Sequence, residues 1–249
     1  FFPLNMNVKH LAIFSGFGIL TVILAVVYKG KKWSLQKTKK KKMTLYWFDN
    51  FRSRRCEWLI TELGIQSDVE LICINPQDPD QEKLANYRKV HPHGTIPAMK
   101  LDDETVMIES GAICLYLADL YGRLVPDLSQ KHNYYNFVLY ACSTLDEILE
   151  NLYNQWIDTL LEDQDTALID KNVRKFQTFG RYFTKVLTGK QYICGNRFTA
   201  ADCVLGYNIW WASTMRNGVL LNEFPVLLDY YDRLQCRSAF QRTFTEEFK

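Results

Sequence analysis

The sequence predicts an α/β domain followed by an all-helical domain, with a single transmembrane helix ahead of both. Three observations predict this arrangement. Residues 43–123 alternate strand-like and helix-like segments, residues 130–249 show helical periods alone, and residues 11–28 carry no charge. At 249 residues, the chain is long enough to bury a substantial core.

The first element is an uncharged stretch of 18 residues at positions 11–28, LAIFSGFGILTVILAVVY. As a helix it would extend about 27 Å, close to the thickness of the hydrocarbon core of a bilayer. A buried core helix is rarely apolar on every face. A cleaved signal peptide would end in small residues, whereas lysines follow Tyr28. We therefore expect a membrane span with the lipid bilayer as its partner.

The residues around this span are basic, and the rest of the chain is acidic. Residues 1–42 contain nine lysines and no acidic residue, so a net charge of +2 for the whole chain leaves −7 for residues 43–249. An acidic folded part argues against nucleic-acid binding. Eight of the lysines follow the span and would keep the folded domains on the cytoplasmic or matrix side, the mitochondrial inner membrane being one candidate. These lysines fit either contact with anionic lipids or a solvated linker.

The α/β domain is predicted over residues 43–123 from the order of its elements. Strands are predicted at 44–48, 69–74, 98–101 and 106–108, and helices at 54–64, 81–90 and 111–121. This β-α-β-α-β-β-α order is typical of a thioredoxin-like domain.

Residues 124–129, LVPDLS, are predicted to link this domain to an all-helical one at 130–249. Helical periods run over 131–161, 166–187, 200–213 and 225–235, with a short piece near the C-terminus. Before the third of these, Thr199 and Asp202 are spaced to bond each other's backbone N–H groups and so cap the helix.

The seven cysteines are odd in number and scattered, and no two of them form a Cys-x-x-Cys pair. This pattern predicts free thiols in a reducing compartment and argues against a zinc site or a dithiol redox site. We therefore expect no metal.

Residues 91–117, HPHGTIPAMKLDDETVMIESGAICLYL, combine features of a ligand site. Ile96-Pro97 supplies a bond whose cis form is accessible. Glu109 and Ser110 stand at a helix start, where free N–H groups and the helix dipole favour a carboxylate ligand. An ordinary hairpin followed by a capped helix fits the same spacing.

The sequences HPHGTIP at 91–97, ES at 109–110 and FTAAD at 198–202 resemble the glutathione transferase family. The resemblance extends from Met43 to the C-terminus and implies a thioredoxin-like domain followed by an all-α domain. In that family the residue before a cis-proline pairs through its backbone with the cysteinyl part of glutathione, and the Glu-Ser pair holds the γ-glutamyl end. The resemblance therefore implies glutathione as the ligand, bound by Ile96, Pro97, Glu109 and Ser110.

A second stretch, WFDNFRSRRCEWL at 47–59, resembles the serine-type branch of the family, in which W-L-x-x-S-R-x-x-R-x-x-W-L is typical. In register, the catalytic serine falls on Phe51, which has no hydroxyl. Two other hydroxyls are candidates for lowering the thiol pKa by a hydrogen bond to sulfur. They belong to Ser53, which also fits a helix N-cap, and to Tyr46, which also fits a core aromatic of the first strand.

Four further residues near these motifs have open roles. Arg52 is a candidate for contacting the glutathione carboxylates or the thiolate, and fits a surface ion pair equally well. Asn50 fits a turn or an amide donor to sulfur. Cys56 falls on the apolar face of its helix and is expected to be a buried thiol. His93 fits a simple loop residue beside the ligand.

Two functions remain open at this point. The first is a membrane-anchored glutathione transferase acting on lipophilic electrophiles. The second is a non-catalytic accessory subunit of a multi-subunit membrane complex, such as a mitochondrial respiratory complex, that keeps the fold as a scaffold; Phe51 favours this alternative. The resemblance also implies a homodimer. A glutaredoxin-type enzyme is disfavoured because residues 50–53 contain no cysteine.

Overall fold

The computed structural model describes residues 42–244. The membrane span predicted at 11–28 and most of the lysines after it lie outside these residues. None of the helices between residues 42 and 244 combines the length and the apolar character that a membrane span requires.

The first part of the described chain is a four-stranded sheet with three helices. Its elements are β1 Met43–Trp47, α1 Ser53–Leu63, β2 Val69–Cys73, α2 Gln81–Val90, β3 Ala98–Lys100, β4 Val106–Ile108 and α3 Ser110–Leu120. The strand order is β2-β1-β3-β4, with β1 parallel to β2 and the other two pairings antiparallel. The predicted order of elements and the thioredoxin-like fold are confirmed.

The second part is helical throughout. Its helices are α4 Lys131–Tyr140, α5 Asp146–Tyr153, α6 Thr166–Leu187, α7 Ala200–Thr214, α8 Pro225–Gln235 and α9 Ser238–Phe244. Together with the first part it gives the predicted combination of an α/β domain and an all-α domain.

The helical period predicted over 131–161 corresponds to a continuous helix over 131–158 that is not α-helical throughout. Two π-helical segments, Ala141–Leu145 and Asn154–Asp158, interrupt the α-helical hydrogen bonding on either side of α5. The helix ends at Asp158 because Thr159 is extended, with φ −104° and ψ 134°. Such segments are frequent where a functional site reshapes a helix.

The two parts share one apolar core, in which Trp58 of α1 is fully buried. Its ring lies edge-on to Phe240 of α9, with 5.1 Å between the ring centroids. Gly206 of α7 allows this packing, since a Cβ atom there would lie 2.8 Å from the Trp58 ring and 2.7 Å from Leu234. The close contact between α1 and α7 therefore fixes the α/β part against the helical part.

The predicted cap of α7 is confirmed. Thr199 and Asp202 form a reciprocal capping box. Asp202 is fully buried and accepts four hydrogen bonds, two from Thr199, one from the Ile193 N–H and one from the Tyr230 hydroxyl. The carboxylate therefore ties α7 to α8 and to the preceding loop.

Candidate functional site

Two adjoining cavities lie between the α/β part and the helical part. The smaller has a volume of about 340 Å³ and the larger about 600 Å³. Arg52 and Glu150 line both, so these two side chains mark the junction. The remaining residues of the smaller cavity are His91, Thr95, Ile96, Pro97, Glu109, Ser110, Cys142, Ser143, Asp146 and Glu147.

One wall of the smaller cavity is the loop before β3. The Ile96-Pro97 peptide bond is cis, and both residues line the cavity. Ile96 precedes the strand, whose pairing with β1 and β4 begins at Ala98. The Ile96 backbone is therefore outside the ladder at the edge of the cavity, in a position to pair with an extended ligand.

The start of α3 forms a second part of the wall. Glu109 precedes the helix with φ 72°, a left-handed conformation that a non-glycine residue rarely adopts. Its side chain is exposed and makes no hydrogen bond or ion pair with any residue in 42–244. Ser110 is buried, and its hydroxyl accepts a hydrogen bond from Arg55 at 3.1 Å. The N–H groups of the first turn have no acceptor within the helix, so this corner suits an anion.

His91 closes the smaller cavity as a neutral imidazole. It is 3 % exposed. Its Nδ1 accepts the His93 N–H at 3.2 Å, which leaves Nε2 to carry the proton opposite the Thr95 hydroxyl at 3.0 Å. Burial, together with the nearby His93, lowers the pKa of His91 below its ordinary value. The other predicted loop histidine, His93, is exposed and does not line the cavity.

Arg52 stands between the cavities and reaches across to the helical part. Its Nε donates to Asp146 at 2.8 Å, and its Nη2 donates to Glu150 at 3.0 Å. The guanidinium also lies 5.6 Å from the centre of the Trp211 ring. Arg52 is therefore fixed in place by two acidic residues while remaining 32 % exposed to the cleft.

Behind Arg52 lies a buried network centred on Arg55. Its guanidinium donates twice to Asp146, at 3.0 and 2.6 Å, and once to Asn208 at 2.7 Å. Burial opposes ionisation of Asp146, but the charge of Arg55 outweighs it and holds the pKa of this carboxyl below its ordinary value. In turn, burial lowers the pKa of Arg55, but the negative charge of Asp146 outweighs this effect and raises it above its ordinary value. Both groups are therefore charged at neutral pH.

The sequence did not reveal Asp146 or Glu150 as site residues. They are spaced i,i+4 on one predicted helix, which identifies a shared face. Nothing in the sequence relates that face to residues nearly a hundred positions earlier. The contact with Arg52 is a product of how the two parts of the chain pack.

The two predicted hydroxyls lie away from both cavities. Ser53 is fully buried as the first residue of α1, and its hydroxyl donates to the Phe48 carbonyl at 2.8 Å. Tyr46 packs against Tyr87, with 5.4 Å between the ring centroids, and lines a separate cavity beside β2 and α2. The geometry favours neither as a donor to a thiol at the junction, so their catalytic role stays an unsupported prediction.

The larger cavity is rich in aromatic side chains. Phe51, at the expected serine position, is 41 % exposed and lines it, as does Asn50, whose carbonyl accepts the Tyr207 hydroxyl at 3.2 Å. The other lining residues are Arg52, Gln77, Glu150, Tyr153, Asn154, Ile157, Asp158, Tyr207, Trp210, Trp211, Thr214 and Met215. Such a wall suits a flat, apolar molecule.

All seven cysteines lie within the described residues and are free. Cys56 is fully buried, which confirms the predicted structural thiol. Cys142 lines the smaller cavity, and burial raises the pKa of its thiol against the effect of Arg55. Within residues 42–244, no three His, Cys, Asp or Glu side chains are grouped to hold a metal ion.

Comparison with known proteins relates both parts of the chain to one family. Residues 50–125 match the family model "Glutathione S-transferase, N-terminal domain", and residues 166–233 match "Glutathione S-transferase, C-terminal domain". An uncharacterised GST-like protein of Streptococcus mutans is 26% identical over 207 residues, which cover 76% of this chain and 75% of the relative. Glutathione S-transferase GstA of Escherichia coli O157:H7 is 28% identical over 159 residues, covering 60% and 73%.

Solved structures show the same fold. A theta class glutathione S-transferase from Xanthomonas axonopodis pv. citri, with glutathione bound, superposes with a TM-score of 0.70 at 24% identity and covers 83% of this chain and 99% of its own. Glutathione transferase URE2P6 from Phanerochaete chrysosporium, in complex with oxidised glutathione, superposes with a TM-score of 0.71 at 21% identity and covers 82% and 95%.

Proposed function

The chain belongs to the glutathione transferase family, and from this premise we propose that it binds glutathione in the smaller cavity and conjugates it to lipophilic electrophiles held in the larger one. The observation that supports this function is the junction of two cavities of different chemistry at Arg52 and Glu150. A peptide acid in one cavity and an apolar electrophile in the other would meet there.

Glutathione fits the smaller cavity group by group. The first turn of α3 offers the Ser110 N–H to the γ-glutamyl carboxylate, and the unpaired Glu109 carboxylate suits the ammonium group beside it. The Ile96 backbone, next to Pro97, suits the cysteinyl part. In this arrangement we expect the thiol to face Arg52, which lines the same cavity.

Conjugation breaks the S–H bond of glutathione and forms a carbon–sulfur bond. The thiol proton passes to water, and the thiolate donates an electron pair to the electrophilic carbon. In a substitution, the leaving group departs with the electrons of its bond. In an addition to an activated double bond, the carbanion takes a proton from water.

The larger cavity favours flat, uncharged electrophiles. Trp210, Trp211 and Tyr153 offer aromatic faces. Among the described lining residues, the carboxylates of Glu150 and Asp158 outweigh the charge of Arg52, so an anionic substrate is disfavoured. We therefore expect activated aryl halides to react faster than their carboxylate-bearing analogues.

The test is a conjugation assay with glutathione and an activated dinitrophenyl chloride, combined with calorimetric titration of glutathione. Turnover above the uncatalysed rate and saturable glutathione binding support the proposal. A protein that neither conjugates nor is retained on glutathione resin contradicts it.

The accessory-subunit alternative is supported by position 51, where the serine-type branch has a catalytic serine and this chain has Phe51, which carries no hydroxyl. The smaller cavity, however, is open rather than filled by side chains, which supports a ligand-binding role over a scaffold. Purification of the full chain in mild detergent separates the two functions. Elution alone, as a monomer or homodimer, contradicts an obligate place in a larger complex.

Membrane anchoring through residues 11–28 completes the proposed function. An anchor would concentrate the enzyme where lipophilic electrophiles partition. Carbonate extraction of membranes provides the measurement. We expect the full chain to stay in the pellet and a chain starting at Lys42 to be released, and equal release of both contradicts the anchor.

A further inference from the structure

The position that would activate the thiol in a serine-type transferase is occupied by Phe51, which cannot donate a hydrogen bond. The next hydroxyl along the chain, that of Ser53, donates to the Phe48 carbonyl and is fully buried. If the protein activates glutathione, another group must stabilise the sulfur anion. That group must border both cavities, because the sulfur joins the two ligands.

Of the residues that the structure describes, Arg52 and Glu150 line both cavities, and Arg52 is the cation of the two. A guanidinium carries five N–H donors. Nε and Nη2 of Arg52 each donate one hydrogen bond, to Asp146 and Glu150, whereas Nη1 makes no hydrogen bond within residues 42–244. Arg52 therefore has donors left for a ligand while two ion pairs hold its position.

The neighbouring arginine is unsuited to this task. Arg55 is fully buried, and its guanidinium is saturated by Asp146, Asn208, Ser110 and the Val204 carbonyl. By pairing with Asp146 in two hydrogen bonds, it also takes up much of that carboxylate's charge. Arg52 shares Asp146 with Arg55, and its second counter-ion, Glu150, is 54 % exposed and therefore the more easily displaced of the two.

We propose that the Arg52 guanidinium stabilises the thiolate of bound glutathione in place of a hydroxyl, and that Glu150 is the anion with which the thiolate competes. This inference rests on the proposed function, because it assigns a catalytic residue to the same site. No group at the junction needs to accept the proton, which passes to water when the thiolate forms.

The experiment measures the thiol pKa of bound glutathione from thiolate absorbance as a function of pH. A cation within hydrogen-bond distance lowers a thiol pKa by about 1 to 3 units. We expect the wild-type protein to show such a lowering, Arg52→Gln to lose most of it and Arg52→Lys to keep part of it. Glu150→Gln should shift the pKa the other way, further down, because it removes the competing anion. Arg197→Gln, an exposed arginine paired with Asp127, is the matched control and should match the wild type.

S-methylglutathione has no ionisable thiol, so its binding distinguishes a role of Arg52 in stabilising the thiolate from a purely structural role. We expect Arg52→Gln to bind S-methylglutathione within about twofold of the wild type. Glutathione itself, at a pH above the wild-type thiol pKa, should bind about tenfold more weakly, corresponding to about 1.4 kcal/mol. Equal loss for both ligands overturns the assignment.

Other donors at the larger cavity provide the competing outcome. Tyr153 has a hydroxyl and Asn50 an amide, and both line that cavity alone. The competing outcome is that the thiol pKa of bound glutathione returns to that of free glutathione in Tyr153→Phe or Asn50→Ala and stays at the wild-type value in Arg52→Gln. This outcome overturns the inference but leaves the proposed function intact. Absence of glutathione binding by the wild type overturns both. If Arg52→Gln does not fold, Glu150→Gln provides the test, because it retains both arginines. A thiol pKa that is not lower in Glu150→Gln than in the wild type then overturns the assignment.

Discussion

The Arg55 guanidinium and the Asp146 carboxylate form two hydrogen bonds, Nη1–Oδ2 at 3.0 Å and Nη2–Oδ1 at 2.6 Å, across the contact between the α/β and helical parts. Arg55 is fully buried, and the Asp146 side chain is 7 % exposed. Asp146 also accepts hydrogen bonds from Arg52 and Asn208. One carboxylate therefore connects the site residue Arg52 to the buried core.

Replacing Asp146 by Asn is expected to lower the free energy of unfolding by about 3 to 5 kcal/mol, because it leaves the Arg55 charge buried without a counter-ion. Urea unfolding followed by circular dichroism measures the change. Asp127→Asn is the control, since Asp127 pairs with Arg197 in solvent and such pairs contribute little. Similar losses in the two variants would contradict the importance of the buried pair.

Glu57 gives the stability a pH dependence of known sign. Burial, against the opposing charge of Arg54, raises the pKa of Glu57 from 4.5 to about 7. The pKa of Glu57 is higher in the folded state than in the unfolded state, so protonation of Glu57 favours folding. Its contribution to the free energy of unfolding is complete below about pH 4.5 and is lost as the pH rises through about 7. We expect Glu57→Gln to flatten the decrease in the free energy of unfolding between these values. Urea titrations of both proteins across this range test it, and parallel profiles would contradict it.

Glu109 combines backbone strain with a place in the smaller cavity. With φ at 72°, Glu109→Gly should raise the free energy of unfolding by up to about 1 kcal/mol, since glycine adopts this conformation readily. The same change should weaken glutathione binding, because it removes the carboxylate proposed to hold the γ-glutamyl ammonium. Thermal unfolding and calorimetry measure the two effects.

The control for this variant is Glu104→Gly, at a second residue with a left-handed backbone, φ 70°, in the turn between β3 and β4. It should leave glutathione affinity unchanged, and its gain in stability should be the smaller one, because it also removes the exposed ion pair between Glu104 and Lys100. Tighter glutathione binding by Glu109→Gly would contradict the assigned role.

Phe51→Ser places a hydroxyl where the serine-type branch has one. In the Arg52→Gln background, we expect it to restore part of the lost conjugation rate, about tenfold, because a hydroxyl can donate to the sulfur. Phe51→Ala in the same background should not do so. Steady-state rates at saturating glutathione provide the comparison, and equal rates for the serine and alanine variants would exclude a hydroxyl reaching the sulfur from this position.

Local patterns in the sequence predicted the parts of the structure that depend on neighbouring residues. The cis Ile96-Pro97 bond, the helix start at Ser110 and the Thr199–Asp202 cap all lie within short motifs and were found where expected. Each rests on turn or capping chemistry that a few adjacent residues determine.

The rest depended on contacts between distant residues. Ser53 has the right chemistry for a thiol donor, but its hydroxyl is used by the Phe48 carbonyl. The role of Asp146 follows from two arginines 91 and 94 positions earlier. The helical period around 141–145 also looks continuous in sequence. A single π-helical turn holds about one residue more than an α-helical turn, which is too small a change to show in the pattern of apolar residues.

That π-helical turn has an evolutionary consequence. A π-helical turn holds about one residue more than an α-helical turn, so Ala141–Leu145 carries one residue that the helix on either side does not need. Deleting one residue here would convert the segment into an ordinary α-helical turn and leave Asp146 and Glu150 facing the cleft, whereas a deletion within Asp146–Tyr153 would rotate the side chains after it by about 100°. Descendants of this gene are therefore expected to tolerate the loss of one residue in this segment, and gaps in their aligned sequences should fall here and not in the α-helical turns on either side.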